Sequence, residues 1–388
     1  MGKKEELVIT DFRHEPDGSI VRTSALVDGE EIFFESVEAP AHRASVEPFI
    51  AMALLEAMVT GRNIRLVDAP ALSERVRGVL PELQGVLSNW NSSLQRICIF
   101  GEATPAPDTP ESVGSFFSGG IDSMHTLAEN MERISHLVVS RGFDHDDDET
   151  GWQRRWSKQQ HFAGEAGKNL VRVDTNARQW MESRRLTWRL GHGLYLSSVG
   201  SMLGFRTMLI PASHTYNELF PWGSHPVTDP MWSTESTHVE HYGASRRRTE
   251  KTEVVLRERL FADNLVVCWR SSSDNCGTCP KCVRTMLAID LLGGGSTALP
   301  PCGPDTPMNV FDDVDEGLIT FVDDLLFLAK ERGRKDIERV MARYHRKYHR
   351  QVMVHALDEA MLGGMLRKAK WALRKPEWST WRVNRRGH

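Results

Sequence analysis

Hydrophobic and polar positions divide the chain into a β-rich beginning and a longer region in which strands and helices alternate. Short apolar runs over residues 6–37, with the turn signal Asp28-Gly29 between two of them, predict a small β meander. Apolar residues at helical spacing over Val46–Met58 and Ser73–Trp90, each followed by a short strand pattern, extend this region. We therefore expect an accessory α/β domain over residues 1–103.

A proline-rich stretch ends this region. Three prolines within Ala103–Pro110 exclude a helix or a central strand, so we expect a linker over residues 104–111. Beyond the linker, the predicted strands are Val113–Phe117, Ser135–Val139, Leu170–Asp174, Arg206–Ile210 and Thr237–His241, and the main predicted helices are Asp122–Met131, Trp152–Ala166, Leu186–Leu203 and Arg248–Phe261. This alternation predicts an α/β fold with a doubly wound parallel sheet, in a catalytic domain over residues 112–295.

The last segment, residues 296–388, is predicted to be a helical and basic extension. Residues 331–388 carry 16 Lys or Arg against 6 Asp or Glu, whereas the whole chain has a formal charge of −4. Gly317–Arg343 and Ala356–Leu373 have helical spacing. Such a basic tail is able to contact RNA or a partner protein.

Composition narrows the class of protein. The chain has 388 residues, of which 40% are hydrophobic and 26% charged, which is typical of a globular protein and excludes a coiled coil or wholesale disorder. No apolar run is long enough for a transmembrane helix, and the amino terminus has no apolar signal core. We expect a cytoplasmic protein without a membrane span, and oligomerisation is left open.

The most informative segment is a glycine-rich loop, Ser118-Gly-Gly-Ile-Asp-Ser123, between a predicted strand and a predicted helix. Gly119 and Gly120 allow backbone N–H groups to surround an anion, and the following helix adds the positive end of its dipole. Ser118 and Ser123 add hydroxyl donors. Asp122 would repel a bare phosphate, so we expect it to orient the loop or to hold Mg²⁺.

This Ser-Gly-Gly-x-Asp-Ser pattern resembles the loop of the PP-loop ATP pyrophosphatase superfamily. The resemblance implies an adenine nucleotide alpha hydrolase-like fold and cleavage of ATP between its α and β phosphates, with Asp122 and Ser123 as catalytic residues. It also implies that the end of the next strand, Arg141-Gly-Phe143, lies beside the adenine. No Walker loop is present in the sequence.

Four of the six cysteines crowd together, at Cys268, Cys276, Cys279 and Cys282. Four thiolates at this spacing are typical of a tetrahedral Zn²⁺ site, and the alternatives are an iron–sulfur cluster, redox disulfides or buried thiols without a function. Because all four ligands are cysteine, no coordination position is open, and the metal is expected to be structural.

Together, the loop and the cysteines resemble the 7-cyano-7-deazaguanine synthase family over residues 112–290. That family has a Lys-x-Glu helix before its cysteines, matched by Lys251-Thr-Glu253, and an arginine after them, matched by Arg284. The chain departs from the family at Leu190-Gly-His-Gly193, where an arginine and an asparagine are replaced, and in the substrate segment, which is replaced by residues 213–230. The departures imply a different acceptor. The candidate substrate residues are His192, His214, Tyr216, Trp222, Asp229, Lys251 and Arg284. The alternatives are a structural lid for residues 213–230, a structural role for His192 and an ion pair that braces the cysteine segment for Arg284.

The resemblance implies an AMP-forming ligase that uses ATP, Mg²⁺ and structural Zn²⁺. A carboxylate or amide oxygen of the acceptor, for which a deazapurine-like acid is one candidate, would be adenylated, and an amine or ammonia would then displace AMP. Two other functions stay open. One is RNA modification, with Tyr344–Arg350 and Trp371–Arg386 binding the nucleic acid. The other is a nucleotide-binding adaptor without catalytic activity.

Overall fold

The computed structural model describes residues 6–143, 149–270, 274–363 and 365. They divide into two compact units, of which the first ends at Ser245 and the second begins at Arg246. Within the described residues, no helix is both long enough and apolar enough to cross a membrane.

The first unit is built on one ten-stranded sheet and a separate strand pair. In chain order its elements are β1 (Leu7–Asp17), β2 (Ile20–Val27), β3 (Glu30–Val37), α1 (Glu47–Thr60), β4 (Ile64–Leu66), β5 (Leu72–Ser73), α2 (Glu74–Trp90), β6 (Ile99–Phe100), β7 (Ala103–Thr104), β8 (Val113–Phe116), α3 (Ile121–Glu129), β9 (His136–Arg141), α4 (Glu149–Glu165), β10 (Asn169–Thr175), α5 (Ala177–Ser183), α6 (Trp188–Met202), β11 (Thr207–Pro211) and β12 (His238–Tyr242). The sheet order is β12-β11-β8-β9-β10-β3-β2-β1-β4-β6, and β5 pairs with β7.

The turn residues of the amino-terminal meander determine how its strands pair. The hairpin between β2 and β3 closes through Asp28 and Gly29, whose φ angles of 54° and 84° are both left-handed. Two left-handed residues in a two-residue loop match the twist of an antiparallel pair. The predicted meander is therefore confirmed.

Parallel strands lie on both sides of β8 in the sheet. The chain passes from β8 to β9 and β10 on one side of the sheet, and then returns to place β11 and β12 on the other side. Right-handed crossovers in opposite directions put their helices on opposite faces of the sheet. The carboxyl ends of β8 and β11 border the crevice at which the strand order reverses, where open α/β sheets bind ligands.

Side-chain burial follows these two faces. Val138 and Met208 belong to the hydrophobic core that also includes α1 and α6. On the opposite face, the ring of Phe117 stacks on Phe162 of α4 at 5.1 Å, and Met124 of α3 is fully buried. The predicted α/β class with a mostly parallel central sheet is confirmed.

The antiparallel pair of β3 with β10 joins the meander to the parallel strands, so strands from both sides of residues 104–111 belong to one sheet. Phe34 of β3 is fully buried and contacts Phe49 of α1 at 5.2 Å and Tyr195 of α6 at 6.1 Å between ring centroids. The proposed boundaries of an accessory domain, a catalytic domain and an extension stay predictions.

The second unit contains α7 (Arg248–Val255), α8 (Arg259–Asp263), α9 (Pro280–Leu291), α10 (Glu316–Glu331) and α11 (Lys335–Leu362). Its core is formed by α9, α10 and α11, with Leu287, Leu325 and Met341 buried together. Gly333, with a φ of 67°, separates α10 from α11. The prediction of one continuous helix over Gly317–Arg343 is therefore wrong, because Gly333 takes a left-handed conformation that ends the helix.

We predict that Phe34→Ala lowers the free energy of unfolding by about 3–5 kcal/mol, because it leaves a cavity between α1, β3 and α6. Urea denaturation followed by far-ultraviolet circular dichroism measures the effect. The control is Ile20→Ala on β2, where the side chain is 40% exposed. A loss of stability no larger than that of the control would show that Phe34 does not join these elements.

Candidate functional site

The glycine-rich loop, Ser118–Ser123, follows the carboxyl end of the central parallel strand β8. Gly119 has a φ of 79°, a left-handed conformation that glycine adopts without strain. Helix α3 begins at Ile121 with Gly120 as its N-cap, and no side chain among the described residues caps it. The first N–H groups of α3 and the helix dipole therefore favour an anion at this position.

Two serine hydroxyls brace the loop from within. The Oγ of Ser123 donates to the Gly120 carbonyl at 3.0 Å and accepts the Ser118 N–H at 3.3 Å, and the Gly120 N–H reaches the Oγ of Ser118 at 3.3 Å. Asp122 is half-buried in the first turn of α3. An anion that takes the Gly120 N–H and the Ser118 hydroxyl would replace only long hydrogen bonds, so the loop is prepared for a ligand without rearrangement.

Rings from three elements form a continuous row, which we call the aromatic arc: Phe143, His192, Trp222 and His214. Phe143 follows β9, His192 lies on α6, and Trp222 and His214 follow β11. Neighbouring ring centroids are 6.4, 5.4 and 5.5 Å apart in that order. Because β8 lies between β9 and β11 in the sheet, the arc runs from one side of the glycine-rich loop to the other.

Close backbone contact fixes Trp222 on α6. The Gly223 N–H donates to the carbonyl of Arg189 at 2.9 Å, and a Cβ at Gly193 would lie 1.7 Å from the Gly223 carbonyl oxygen. The guanidinium of Arg189 also lies over the Trp222 ring at 4.9 Å. Only a residue without a side chain at position 193 lets this segment approach the helix so closely.

His192 uses both ring nitrogens in the same attachment. Its Nδ1 lies 3.1 Å from the carbonyl of Trp188, and its Nε2 accepts the Ser224 N–H at 3.2 Å. These partners assign the Nδ1–H tautomer of a neutral imidazole. The predicted substrate residue His192 therefore positions the segment that carries Trp222.

A small cavity lies beside the arc. It has an empty volume of about 220 Å³ and is lined by His214, Leu219, Phe220, Trp222, Ser224, His225, Pro226 and His241. Most of these side chains belong to the segment after β11 that the sequence predicts as a substrate site. His241 comes instead from β12, and sequence reasoning missed it.

Asp229 orients His241 rather than facing the cavity. It is 1% exposed and its carboxylate accepts hydrogen bonds from Nδ1 of His241 at 2.8 Å, the Ser224 hydroxyl at 2.7 Å and the His225 N–H at 3.0 Å. With Nδ1 donating to the carboxylate, Nε2 of His241 is left as a proton acceptor. Burial lowers the pKa of the neighbouring His225, which keeps that ring neutral.

Helix α4 contributes buried polar side chains that the sequence did not predict as functional. Gln159 is 2% exposed, Arg155 is 6% exposed, and no described residue hydrogen-bonds to the side-chain amide of Gln159. Phe162, one turn further along α4, stacks on Phe117 directly before the glycine-rich loop. Gln159 and Arg155 lie one and two turns nearer the start of α4 than Phe162, and α4 is the helix that follows β9. The sequence signal for these two residues was their helical spacing, which places Arg155 and Gln159 on the same face of α4 as Phe162.

The predicted adenine-binding turn, Arg141-Gly-Phe143, is held tightly at the end of β9. Gly142 has a φ of 79°, and a Cβ there would lie 2.3 Å from the Thr175 carbonyl oxygen. Arg141 pairs with Glu149 at 2.6 Å. Burial raises the pKa of Asp174, in register with Arg141 on β10, so this carboxyl is a weaker acid than usual.

The remaining predicted substrate residues are Tyr216 in the first unit and Lys251 and Arg284 in the second. Tyr216 is 57% exposed and lies outside the cavity lining. Lys251 and Arg284 belong to the second unit, where Lys251 is 1% exposed on α7 and the guanidinium of Arg284 lies 3.7 Å from the Phe321 ring. Their roles toward a substrate stay predictions.

The four cysteines, Cys268, Cys276, Cys279 and Cys282, form one cluster that could hold a metal ion such as zinc, because their sulfur atoms all lie within 4.8 Å of one another. Two sulfur pairs are 3.9 Å apart. A tetrahedral site with Zn–S bonds of about 2.3 Å would separate its sulfurs by about 3.8 Å, so the geometry fits zinc. Hydrogen bonds from the thiol and N–H of Cys282 lower the pKa of Cys279, and the same thiol contact raises the pKa of Cys282.

Backbone amides surround these sulfurs. The Arg270 N–H reaches the sulfur of Cys268 at 3.3 Å, and the Thr278 N–H reaches that of Cys276 at 3.4 Å. Asn275 holds the segment itself: its Oδ1 accepts the N–H groups of Val267 and Cys268 at 2.8 and 3.1 Å. Such outer hydrogen bonds orient metal ligands, and Asn275 was missed because its partners were not evident from the sequence.

No family model, curated protein or solved structure matches this chain. What the site can do is therefore inferred from its residues and geometry.

We predict that Gly193→Ala displaces the segment around Gly223, because the added Cβ overlaps its carbonyl, and lowers stability by about 1–3 kcal/mol. Hydrogen exchange of residues 219–225 should become faster. Gly78→Ala is the matched control, since it adds the same methyl group on a helix where nothing lies within 4 Å. Unchanged exchange in the Gly193 variant would contradict the close approach.

We also predict that Cys279→Ser removes bound zinc and lowers the melting temperature of the second unit, because three thiolates bind zinc more weakly than four. Metal content by plasma mass spectrometry should fall from about one zinc per chain toward zero. Cys98→Ser, at an exposed cysteine outside the cluster, should change neither quantity. Full zinc content in the Cys279 variant would refute the metal site.

Proposed function

We propose that the protein is an AMP-forming, ATP-dependent ligase. The glycine-rich loop binds the β and γ phosphates of ATP, and a carboxylate or amide oxygen of the acceptor attacks the α phosphate. Pyrophosphate leaves, and an amine or ammonia then displaces AMP from the activated acyl group to form a carbon–nitrogen bond. The observation that carries this proposal is the Ser-Gly-Gly-Ile-Asp-Ser loop at the end of β8, in the crevice where the strand order reverses.

The loop supports binding of a polyanion for three physical reasons. Its glycines leave room for phosphate oxygens, the uncapped N-terminus of α3 offers N–H donors, and Ser118 offers a hydroxyl. In the proposed reaction these groups stabilise the charge that develops on pyrophosphate as it leaves. The Ser-Gly-Gly-x-Asp-Ser resemblance to PP-loop enzymes supports cleavage at the α phosphate, and Asp122 is the residue that would hold Mg²⁺.

Arg155 and Gln159 support the same site from α4. A guanidinium matches phosphate oxygens through two parallel N–H donors, and the amide of Gln159 offers both a donor and an acceptor. Both side chains are buried on the helix face that carries Phe162, and Phe162 stacks on Phe117 directly before the loop. We assign them to the nucleotide rather than to the acceptor.

The aromatic arc and its cavity support a planar acceptor. Trp222 and His214 present ring faces and edges, and Arg189 adds a cation over the Trp222 ring. The Asp229–His241 pair supplies a base at the cavity wall, because the carboxylate stabilises the imidazolium that forms when Nε2 takes a proton from an attacking amine. A deazapurine-like acid is one candidate acceptor.

The two cysteines outside the cluster support nitrogen over sulfur as the nucleophile. Burial raises the pKa of Cys302 to about 11, so it is a protonated thiol at neutral pH. Cys98 directly precedes β6, which is seven strand positions from β8, or about 33 Å at the usual strand spacing. Neither is suited to carry sulfur to the glycine-rich loop.

RNA modification is less well supported by the carboxyl-terminal segment. Tyr344 is 2% exposed and donates its hydroxyl to the Met308 carbonyl at 2.8 Å, so it is not available to stack on a base. Trp371–Arg386 lies outside the described residues. An adaptor without catalytic activity would bind ATP at the same loop and release no pyrophosphate.

The proposal is tested by incubating the full chain with ATP, Mg²⁺, ammonia and a panel of planar heterocyclic carboxylates. We expect AMP and pyrophosphate in equal amounts, and an acceptor mass change that corresponds to an amide. Asp122→Ala should lower AMP formation by at least about 100-fold, because the metal that neutralises pyrophosphate is lost. Circular dichroism and the melting temperature should stay unchanged.

Glu132→Ala is the control, since it removes an exposed carboxylate shortly after α3. It should retain full activity. Formation of ADP in place of AMP would overturn the proposal, as would AMP formation that Asp122→Ala leaves intact. ATP binding without any pyrophosphate release would favour the adaptor.

A further inference from the structure

The second unit carries a cluster that the proposed reaction does not use. His345 and His349 lie one turn apart on α11, and Asp323 lies on the adjacent helix α10. Nδ1 of His345 is 2.6 Å from Oδ1 of Asp323, and the two imidazole ring centroids are 4.3 Å apart. One nitrogen or oxygen atom from each of the three residues lies within 4.8 Å of the other two.

The cluster is reachable from solvent. The side chains of Asp323 and His345 are each 38% exposed, and His349 is exposed at the surface of α11. Helical residues four apart project from the same face, so both imidazoles are directed to one side of α11. An ion from solution could therefore enter without opening the helix pair.

The donor set selects a class of metal. Two imidazoles and one carboxylate suit Zn²⁺, Co²⁺ or Ni²⁺, whereas Ca²⁺ and Mg²⁺ prefer oxygen ligands alone. Metal–nitrogen bonds of about 2.0–2.1 Å place neighbouring ligand atoms roughly 3.0–3.4 Å apart. Asp323 and His345 are joined by a hydrogen bond at 2.6 Å, which is shorter than the separation of two ligands on one metal. Metal binding would therefore replace this hydrogen bond and draw in the imidazole of His349, whose ligand atom already lies within 4.8 Å of the other two.

We propose that Asp323, His345 and His349 form a second metal site, which binds a divalent ion such as Zn²⁺, Co²⁺ or Ni²⁺. Three protein ligands leave the fourth position of tetrahedral zinc to water or to an external ligand, so this site is chemically different from the closed four-cysteine cluster. A bound metal would link α10 to α11 at a point separate from the turn at Gly333 that connects the two helices. Its occupancy stabilises the helix pair by mass action.

The test uses the full chain with the metal of its cysteine cluster in place, freed of loosely bound ions by gel filtration. Titration with Zn²⁺, followed by calorimetry, should show about one additional equivalent per chain. His349→Ala should weaken this uptake by at least about 10-fold, as should Asp323→Asn, because each removes one ligand. His355→Ala, at an exposed histidine further along α11, is the matched control and should bind like the unaltered protein.

Titration with Co²⁺ identifies the ligands. Cobalt at the proposed site should give weak d–d absorption without the strong sulfur-to-metal charge-transfer band of a thiolate site. Equal uptake by the unaltered protein and the His349 variant would overturn the proposal, and so would a charge-transfer band from the additional Co²⁺. Neither measurement depends on ATP, so its result is independent of the proposed ligase activity.

Discussion

The pairing of β3 with β10 is the constraint on which the candidate site depends. It joins an antiparallel meander to a parallel sheet, and side chains extend it beyond the strand ladder. The Thr175 hydroxyl donates to the Phe33 carbonyl at 2.7 Å, and Asn176 bonds the Phe33 N–H and the Glu31 carbonyl at 3.0 and 2.8 Å.

This pairing places Phe34 between α1 and α6. Its ring contacts Tyr195, whose hydroxyl hydrogen-bonds to Ser140 near the end of β9, so α6 is fixed against the carboxyl edge of the sheet. The close contact between Gly193 of α6 and Gly223 then fixes the position of Trp222 and of the cavity that Trp222 lines.

Local signals in the sequence predicted the elements well, and long-range contacts less well. The meander followed from Asp28-Gly29, and the parallel strands followed from apolar runs separated by helical patterns. The union of both in one sheet could not be predicted, since it depends on a pairing between residues about 140 positions apart. The glycine break at Gly333 was missed because the apolar spacing on its two sides continues in phase.

The same distinction applies to the functional residues. The glycine-rich loop and the cysteine cluster are contiguous motifs, and the spacing of the cysteines predicted a set of sulfurs that the structure brings together. His241 and Gln159 carry no motif, and only burial and partners identify them. The proposed second metal site contains residues that are close in sequence and one residue that is not. His345 and His349 lie within a segment that reads as basic and aromatic, whereas Asp323 comes from another helix and is not predictable from spacing along α11.

The size of the cavity constrains the acceptor. The cavity is small and its wall is formed largely by aromatic and imidazole rings, which favours a small group over an extended chain. An extended RNA strand needs a groove several nucleotides long with exposed stacking rings, and Tyr344 is buried in the second unit. An adenylated acid also requires protection from water, because hydrolysis competes with attack by an amine. In the proposed reaction, the packed rings of the aromatic arc would provide that protection, and the Asp229–His241 pair would provide a base at the cavity wall. These constraints together favour a small planar acid over a nucleic acid as the acceptor.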